Sequence, residues 1–174
     1  MVFPDPAIDL DRTAATGKQT AVLAGGCFWC VEAVFDQLNG VKKVMSGFAG
    51  GDAASANYEL VSAGKTNHAE SVEITYDPAK VSYGTLLKIF FSVAHDPTQL
   101  NRQGPDWGSQ YRSVVFTHSG EQAQQARAKI AELNAAGAYR KTIVTKVEAA
   151  TRFWRAEEYH QRYLEKRGMV HCHI

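Results

Sequence analysis

The stretch "AGGCFWCVEAVFDQL", Ala24 to Leu38, holds two cysteines three residues apart with Phe28 and Trp29 between them. A thiol attacks as its thiolate, and a free thiol of pKa about 8.5 is only about 3% ionised at pH 7. A helix begins at this point, because Val31, Val34, Phe35 and Leu38 fall at i, i+3, i+4 and i+7. Cys27 would then sit where unsatisfied N–H groups and the helix dipole favour negative charge. The glycines before it leave the approach to sulfur uncrowded. Cys30 lies one turn on, so the two sulfurs can face each other. This pattern fits a redox nucleophile. It also fits buried packing cysteines, or a zinc site that joins both to Cys172 with His171 or His173 in the terminal "HCHI".

A second group carries acid chemistry. "HAESVEITY" alternates, with Val72, Ile74 and Tyr76 on one strand face. That face extends back to Glu70. A carboxyl on the apolar side of a strand resists ionisation, so its pKa rises and it can serve as a general acid. Loops on either side bring Tyr58, Asp106, Trp107 and Tyr111. Phenols can donate to a developing oxyanion, although each alone also reads as a half-buried packing tyrosine. His68 shares the face of Glu70 and can instead satisfy a loop backbone. Glu157, His160 and Gln161 read as a structural hydrogen-bonding group.

The elements that position these residues follow in order. "TAVLAGG" reads as a strand, then comes the helix ended by Asn39-Gly40, then the strand "VKKVMSGFAG". A Gly-, Ser- and Asn-rich loop leads to the strand "HAESVEITY". Ser82 caps a helix bearing Leu86, Ile89, Phe90 and Val93. The loop "AHDPTQLNRQGPDWGSQY" precedes the strand "RSVVFT". Ser119 and Gln122 form a capping box for a helix to about Ala136. "KTIVTKV" predicts a strand and "RAEEYHQRYLEKR" a C-terminal helix. The first six elements read β-α-β-β-α-β. The expected fold is therefore an α+β two-layer sandwich, a ferredoxin-like βαββαβ core with appended elements. Residues 1–18 read as an N-terminal arm, 19–167 as a single catalytic domain, and 168–174 as a tail carrying Cys172.

The chain of 174 residues can bury a sizeable core. Its 19 Lys and Arg against 18 Asp and Glu give a net charge of +1, which offers nothing to nucleic acid or an anionic membrane. No apolar run reads as a membrane span, and the N-terminus lacks a signal-peptide pattern, so a cytoplasmic location is expected. There thiols stay reduced, and a disulfide is more often catalytic than structural.

Taken together, the motifs resemble the A-type peptide methionine sulfoxide reductase family. "GCFWC" resembles its nucleophile motif, and "GFAGG" with "NYELVSAGKTNHAESVEITYDP" its second block. "HDPTQLNRQGPDWGSQYRSVVF" and "FWRAEEYHQRYL" resemble the third and fourth. The resemblance implies a ferredoxin-like fold and reduction of methionine S-sulfoxide. It implies Cys27 as nucleophile and Glu70 as acid, with Tyr58 and Tyr111 assisting. Phe28 and Trp29 would hold the substrate's methyl group, and Asp106 would bind substrate or water. Many members have glycine where this chain has Cys30. That departure makes Cys30 the first resolving thiol of the sulfenic acid, with Cys172 a second. Thioredoxin is the implied reductant, and no bound cofactor or metal is expected. The competing readings are a general CxxC thiol–disulfide oxidoreductase and a zinc-stabilised interaction module.

Overall fold

The computed structural model describes residues 19–169. The chain runs β1 (Gln19–Gly25), α1 (Phe28–Asp36), β2 (Val41–Ala49), α2 (Tyr58–Ser62), β3 (Ala69–Tyr76), α3 (Tyr83–Ile89), β4 (Arg102–Gln103), β5 (Asp106–Trp107) and β6 (Ser113–Thr117). Then come α4 (Gly120–Ala135), β7 (Lys146–Ala149), β8 (Trp154–Arg155) and α5 (Tyr163–Lys166). The main sheet has the order β7-β6-β1-β3-β2-β8. Its centre, β6-β1-β3-β2, is fully antiparallel, with α1 and α3 as the crossovers. This is the expected ferredoxin-like α+β core. β7 adds in parallel beside β6, and β8 closes the other edge.

Alternation along the strands builds the layers. Ala21 and Leu23 of β1 join Val72 and Ile74 of β3 against Val31 and Phe35 of α1, Leu86 of α3 and Ala126 and Leu133 of α4. The intervening Val22 and Ala24 pack on the opposite face with Val114, Phe116 and Phe153. Ser82 caps α3 by accepting from Thr85 N, and Ser119 caps α4 by accepting from Gln122 N, as expected from the sequence.

Three expectations change. The C-terminal helix over 155–167 is broken into β8, a 3₁₀ turn at Glu158–His160 and the four-residue α5. Side chains from the core take over the backbone groups a helix would use. Gln161 bonds both the N–H and the C=O of Ser46, and Arg162 N–H donates to Glu32 Oε1 at 2.7 Å. Arg162 adopts a left-handed φ of 53° to make that bond. The strand expected over 141–147 forms at Lys146–Ala149 instead, where β6 offers a partner. The two long loops also carry local order: α2 in the first, and the hairpin of β4 and β5 in the second.

Candidate active site

Gly26 makes the bend from β1 into α1. Its φ is +93°, and a Cβ there would lie 2.7 Å from the Gln103 Cβ on β4. Only glycine meets both demands. The bend delivers Cys27 as the N-cap of α1, partly exposed. The N–H of Phe28 donates to Glu70 Oε1 at 3.1 Å. The N–H groups of Trp29 and Cys30 bond the Cys27 thiol and draw its pKa down. The orphan donors of one helical turn thus serve both the sulfur and the acid.

The balance at sulfur differs from the sequence expectation of a thiol acidified by the helix. Burial, and then the nearby Glu70 carboxyl, outweigh the N–H groups and push the Cys27 pKa up to about 12. Glu70 follows its expectation. It stands opposite Phe48 in the sheet and is 2% exposed. Burial raises its carboxyl to about 8, despite the Phe28 N–H, with Asp106 pushing the same way. At neutral pH the resting pair is a thiol beside a carboxylic acid.

Tyr58 opens α2, whose N-cap Asn57 accepts from Leu60 N. Burial, then Glu70 and Cys27, raise its phenol to about 12. Tyr111 ends a 3₁₀ turn. Its phenol is raised by burial and then by Glu70, Asp106, Tyr58 and Cys27. Asp106, brought in on the hairpin beside Gln103, is itself raised by burial. One locus therefore gathers Cys27, Glu70, Tyr58, Asp106 and Tyr111, each half-buried or buried. Both phenols stay protonated and able to donate.

The aromatic side is built from α1 and the C-terminal segment. Trp29 Nε1 donates to His160 Nδ1 at 3.0 Å. Its ring stacks on Tyr163 at 3.8 Å and 6°, with Tyr58 at 6.4 Å. Phe28 corrects an expectation: its side chain has no exposed surface. It packs on Phe48 at 5.8 Å and His160 at 5.2 Å, so it backs the wall rather than facing a ligand. Trp29 and Tyr58 keep accessible surface. Trp107, also singled out, is 67% exposed and lies under the Arg102 guanidinium at 4.0 Å.

The three cysteines divide. Cys27 is a free thiol, while Cys30 is buried and disulfide-bonded, so the two are not bonded to each other. Cys172 lies outside the described residues, as do His171 and His173. Among the described residues no cluster of three or more His, Cys, Asp or Glu could hold a metal ion. No described helix is long and apolar enough to cross a membrane. His68 serves the loop backbone: its Nδ1 accepts from Gly51 N–H and its Nε2 bonds Asp52 O.

Sequence reasoning undervalued one residue, His160, and missed two, Gln103 and Glu32. His160 is buried against Trp29, Phe28 and Tyr58. Gln103 backs Gly26. Glu32 is 2% exposed and holds the backbone at Arg162. Its signal was an acid inside the apolar stripe of α1, four residues after Phe28 and three before Phe35.

The family model for peptide methionine sulfoxide reductase matches residues 19–174. "Peptide methionine sulfoxide reductase MsrA 2" of Synechocystis sp. is 53% identical over 167 residues, covering 95% of this chain and 78% of that protein. Methionine sulfoxide reductase A of Corynebacterium diphtheriae superposes with a TM-score of 0.78 at 37% identity, over 91% of this chain and 79% of that one. Reduced Mxr1 of Saccharomyces cerevisiae gives 0.80 at 31% identity, over 98% and 96%. With a family match over nearly the whole chain, the convergence of a thiol and a buried acid at one helix start has its explanation: this protein belongs to the peptide methionine sulfoxide reductase family and is an oxidoreductase that reduces methionine sulfoxide.

Proposed function

We propose that Cys27 attacks the sulfoxide sulfur while Glu70, as a neutral acid, protonates the sulfoxide oxygen. The observation that carries this reading is the buried Glu70 carboxyl, held by the Phe28 N–H at 3.1 Å beside the nucleophile. A sulfoxide oxygen leaves sulfur poorly until it is protonated. As the proton passes from Glu70 to that oxygen, positive charge develops on the substrate next to Cys27 Sγ. The thiol then gives its own proton to the Glu70 carboxylate, and the thiolate forms only with substrate in place. Cys27 Sγ bonds to the substrate sulfur, and a proton from Glu70 releases the oxygen as water. Water then adds to Cys27 Sγ as the new S–S bond breaks, so that methionine leaves, Cys27 is a sulfenic acid and Glu70 takes the released proton and is again neutral. The phenols of Tyr58 and Tyr111 donate to the oxygen as charge builds. Asp106 binds substrate or water at the rim.

The methyl arm lies against Trp29, with Phe28 fixing that wall from behind. Donors on one side and an aromatic surface on the other distinguish the two arms of a chiral sulfoxide and select the S epimer. Protein-bound and free methionine S-sulfoxide both present this group. Cys30 then condenses with the sulfenic acid, forming a disulfide and releasing water. Exchange onto Cys172 in the tail 168–174 frees Cys27 again, and a free Cys27 beside a bonded Cys30 supports that hand-off. A dithiol of the thioredoxin class returns the enzyme to its reduced form; the yeast relative Mxr1 is known in complex with Trx2. Residues 19–167 form the catalytic domain in this reading, in the cytoplasm; the N-terminal stretch 1–18 lies outside the described residues.

The test is a single turnover with each sulfoxide epimer, followed by sulfenic acid trapping and disulfide mapping. Turnover of the S epimer alone, with more trapped Cys27 sulfenic acid in Cys30→Ser than in Cys172→Ser, is expected. Equal turnover of both epimers removes the stereochemical part, and equal trapping removes Cys30 as first resolver. Glu70→Gln with unchanged reduction would remove Glu70 as the acid.

A further inference from the structure

We propose that Glu32 is a positioning residue for substrate recognition, holding through the Arg162 backbone N–H the C-terminal segment that orients Trp29. Glu32 sits on α1 with Trp29 but faces inward, at 2% exposure. Burying an acid is unfavourable unless it is paired or hydrogen-bonded. Here burial raises the carboxyl to about 7, and the leading opposing contact is the Arg162 N–H, at 2.7 Å. That bond pins a residue in the left-handed conformation, φ 53°, one step before Tyr163 and two after His160.

Those two neighbours are what fix the indole. His160 Nδ1 accepts the Trp29 Nε1 proton at 3.0 Å, and Tyr163 stacks on the ring at 3.8 Å. Gln161 anchors the same segment to β2 through Ser46. The need for a tether is visible beside Trp29. A cavity of about 390 Å³, lined by Trp29, Glu32, Asp36, Arg162, Leu164 and Met169 among others, gives the indole room to turn. Released from His160 and Tyr163, Trp29 could leave the substrate side. The Arg162 side chain adds little to this hold, since its pairs with Glu165 at 2.7 Å and Asp36 at 3.5 Å are largely exposed.

This rests on the reading of Trp29 as the methyl wall. The experiment compares Glu32→Gln, which keeps an acceptor oxygen, with Glu32→Met, which keeps the volume and removes it. Readouts are the indole N–H resonance of Trp29, assigned against Trp29→Phe, KM and kcat for methionine sulfoxide, and the preference for methyl over ethyl sulfoxide. Glu32→Met should move the resonance, raise KM about tenfold with kcat within about threefold, and lower the methyl preference about threefold. Glu32→Gln should match the parent protein. If Glu32→Met does not fold, Glu32→Asp withdraws the acceptor by one methylene and carries the same expectations. An unmoved resonance and KM overturn the proposal, as does a Glu32→Gln as damaging as Glu32→Met. A Trp29→Ala variant that keeps the methyl preference overturns the wall reading instead, whatever Glu32 does.

Discussion

The N–H of Phe28 donates to Glu70 Oε1 at 3.1 Å, so the first turn of the helix that Cys27 caps and a central strand of the sheet are joined at a buried carboxyl. This bond favours the carboxylate, yet burial wins and lifts the group to about 8. The fold thus holds an acid in its neutral form at the edge of the physiological range. In the proposed mechanism the proton bound there at pH 7 is the one given to the sulfoxide oxygen.

That arrangement carries an opposed effect on stability. Glu70 has a folded pKa above its unfolded value of about 4.5. Its favourable contribution is complete below pH 4.5 and is lost as pH rises toward 8. Glu70→Gln removes the titration and keeps an oxygen for the Phe28 N–H. The variant should be more stable than the parent at pH 8 to 9, on the order of 2–4 kcal/mol, and nearly equal to it at pH 4. Its kcat/KM should fall about 10²–10⁴-fold. Urea unfolding across pH, with steady-state kinetics, checks both. A variant less stable at pH 9 contradicts the buried neutral acid.

The pH dependence of activity has a definite sign. If Glu70 must be protonated, kcat/KM is flat through neutral pH and declines above an apparent pKa of about 8. A reaction limited by free thiolate would do the opposite, rising toward alkaline pH, because Cys27 lies near 12. A pH–rate profile between pH 6 and 10 separates the two.

Gly26 lies between these chemical groups and the fold. Gly26→Ala places a methyl group 2.7 Å from the Gln103 Cβ at a φ of +93°. The Gln103 side chain bonds the N–H and C=O of Asp96 and cannot easily retreat. The substitution should destabilise the protein by about 1–3 kcal/mol and lower activity more than stability, because Cys27 is displaced with the bend. Thermal unfolding and kinetics on one preparation measure both effects.

The core and the chemical centre were legible in the sequence for physical reasons. β1, β2, β3 and β6 form where patterning marks buried strands, and the apolar side of β3 extends to Glu70 as its alternation requires. Ser82 and Ser119 announced their helices by chemistry that acts within three residues. The 155–167 segment was misread because its helical spacing is real but its backbone is claimed from afar. Ser46 and Glu32 are more than a hundred residues away, and no local pattern records them. The Cys27 pKa failed for a similar reason. The dipole of α1 is local, whereas burial and the Glu70 charge come from the tertiary structure. The resemblance assigned Phe28 to the substrate, but its ring is buried, with Phe48 and His160 among its neighbours, which a sequence motif does not record.

His95, whose ring lies against Gly25 at the end of β1, is buried and fixes its own tautomer. Its Nδ1 faces the Phe90 carbonyl at 2.9 Å, so it carries the proton. Nε2 accepts from Ser113 Oγ at 2.7 Å, and Ser113 accepts in turn from Thr145. Burial lowers the ring's pKa to about 4. The unfolded chain takes up this proton near pH 6.5 and the folded chain does not, so stability should fall by about 3 kcal/mol between pH 6.5 and 4 from this group. His95→Asn should be less stable at pH 7 but should lose about one proton's worth of that slope. Urea midpoints at pH 7, 6, 5 and 4.5 measure the difference, and an unchanged slope would mean that His95 is charged in the fold.

Tyr58 and Tyr111 approach the same charges from different elements, α2 and the 3₁₀ turn before β6. In the proposed reaction both phenols donate to one oxygen and are partly redundant: when one is lost, the other still meets the developing charge. Tyr58→Phe and Tyr111→Phe should each lower kcat by about tenfold, and the double variant should lose on the order of 10²–10³. KM should change little, because the bond strengthens as charge builds on oxygen rather than in the bound ground state. Cys27 alkylation by a small reagent should stay near the parent rate in all three variants, which separates loss of donors from damage to the nucleophile. A double variant no slower than either single one would place only one phenol at the oxygen. Single-turnover rates of the set, read with the S epimer, decide between one donor and two.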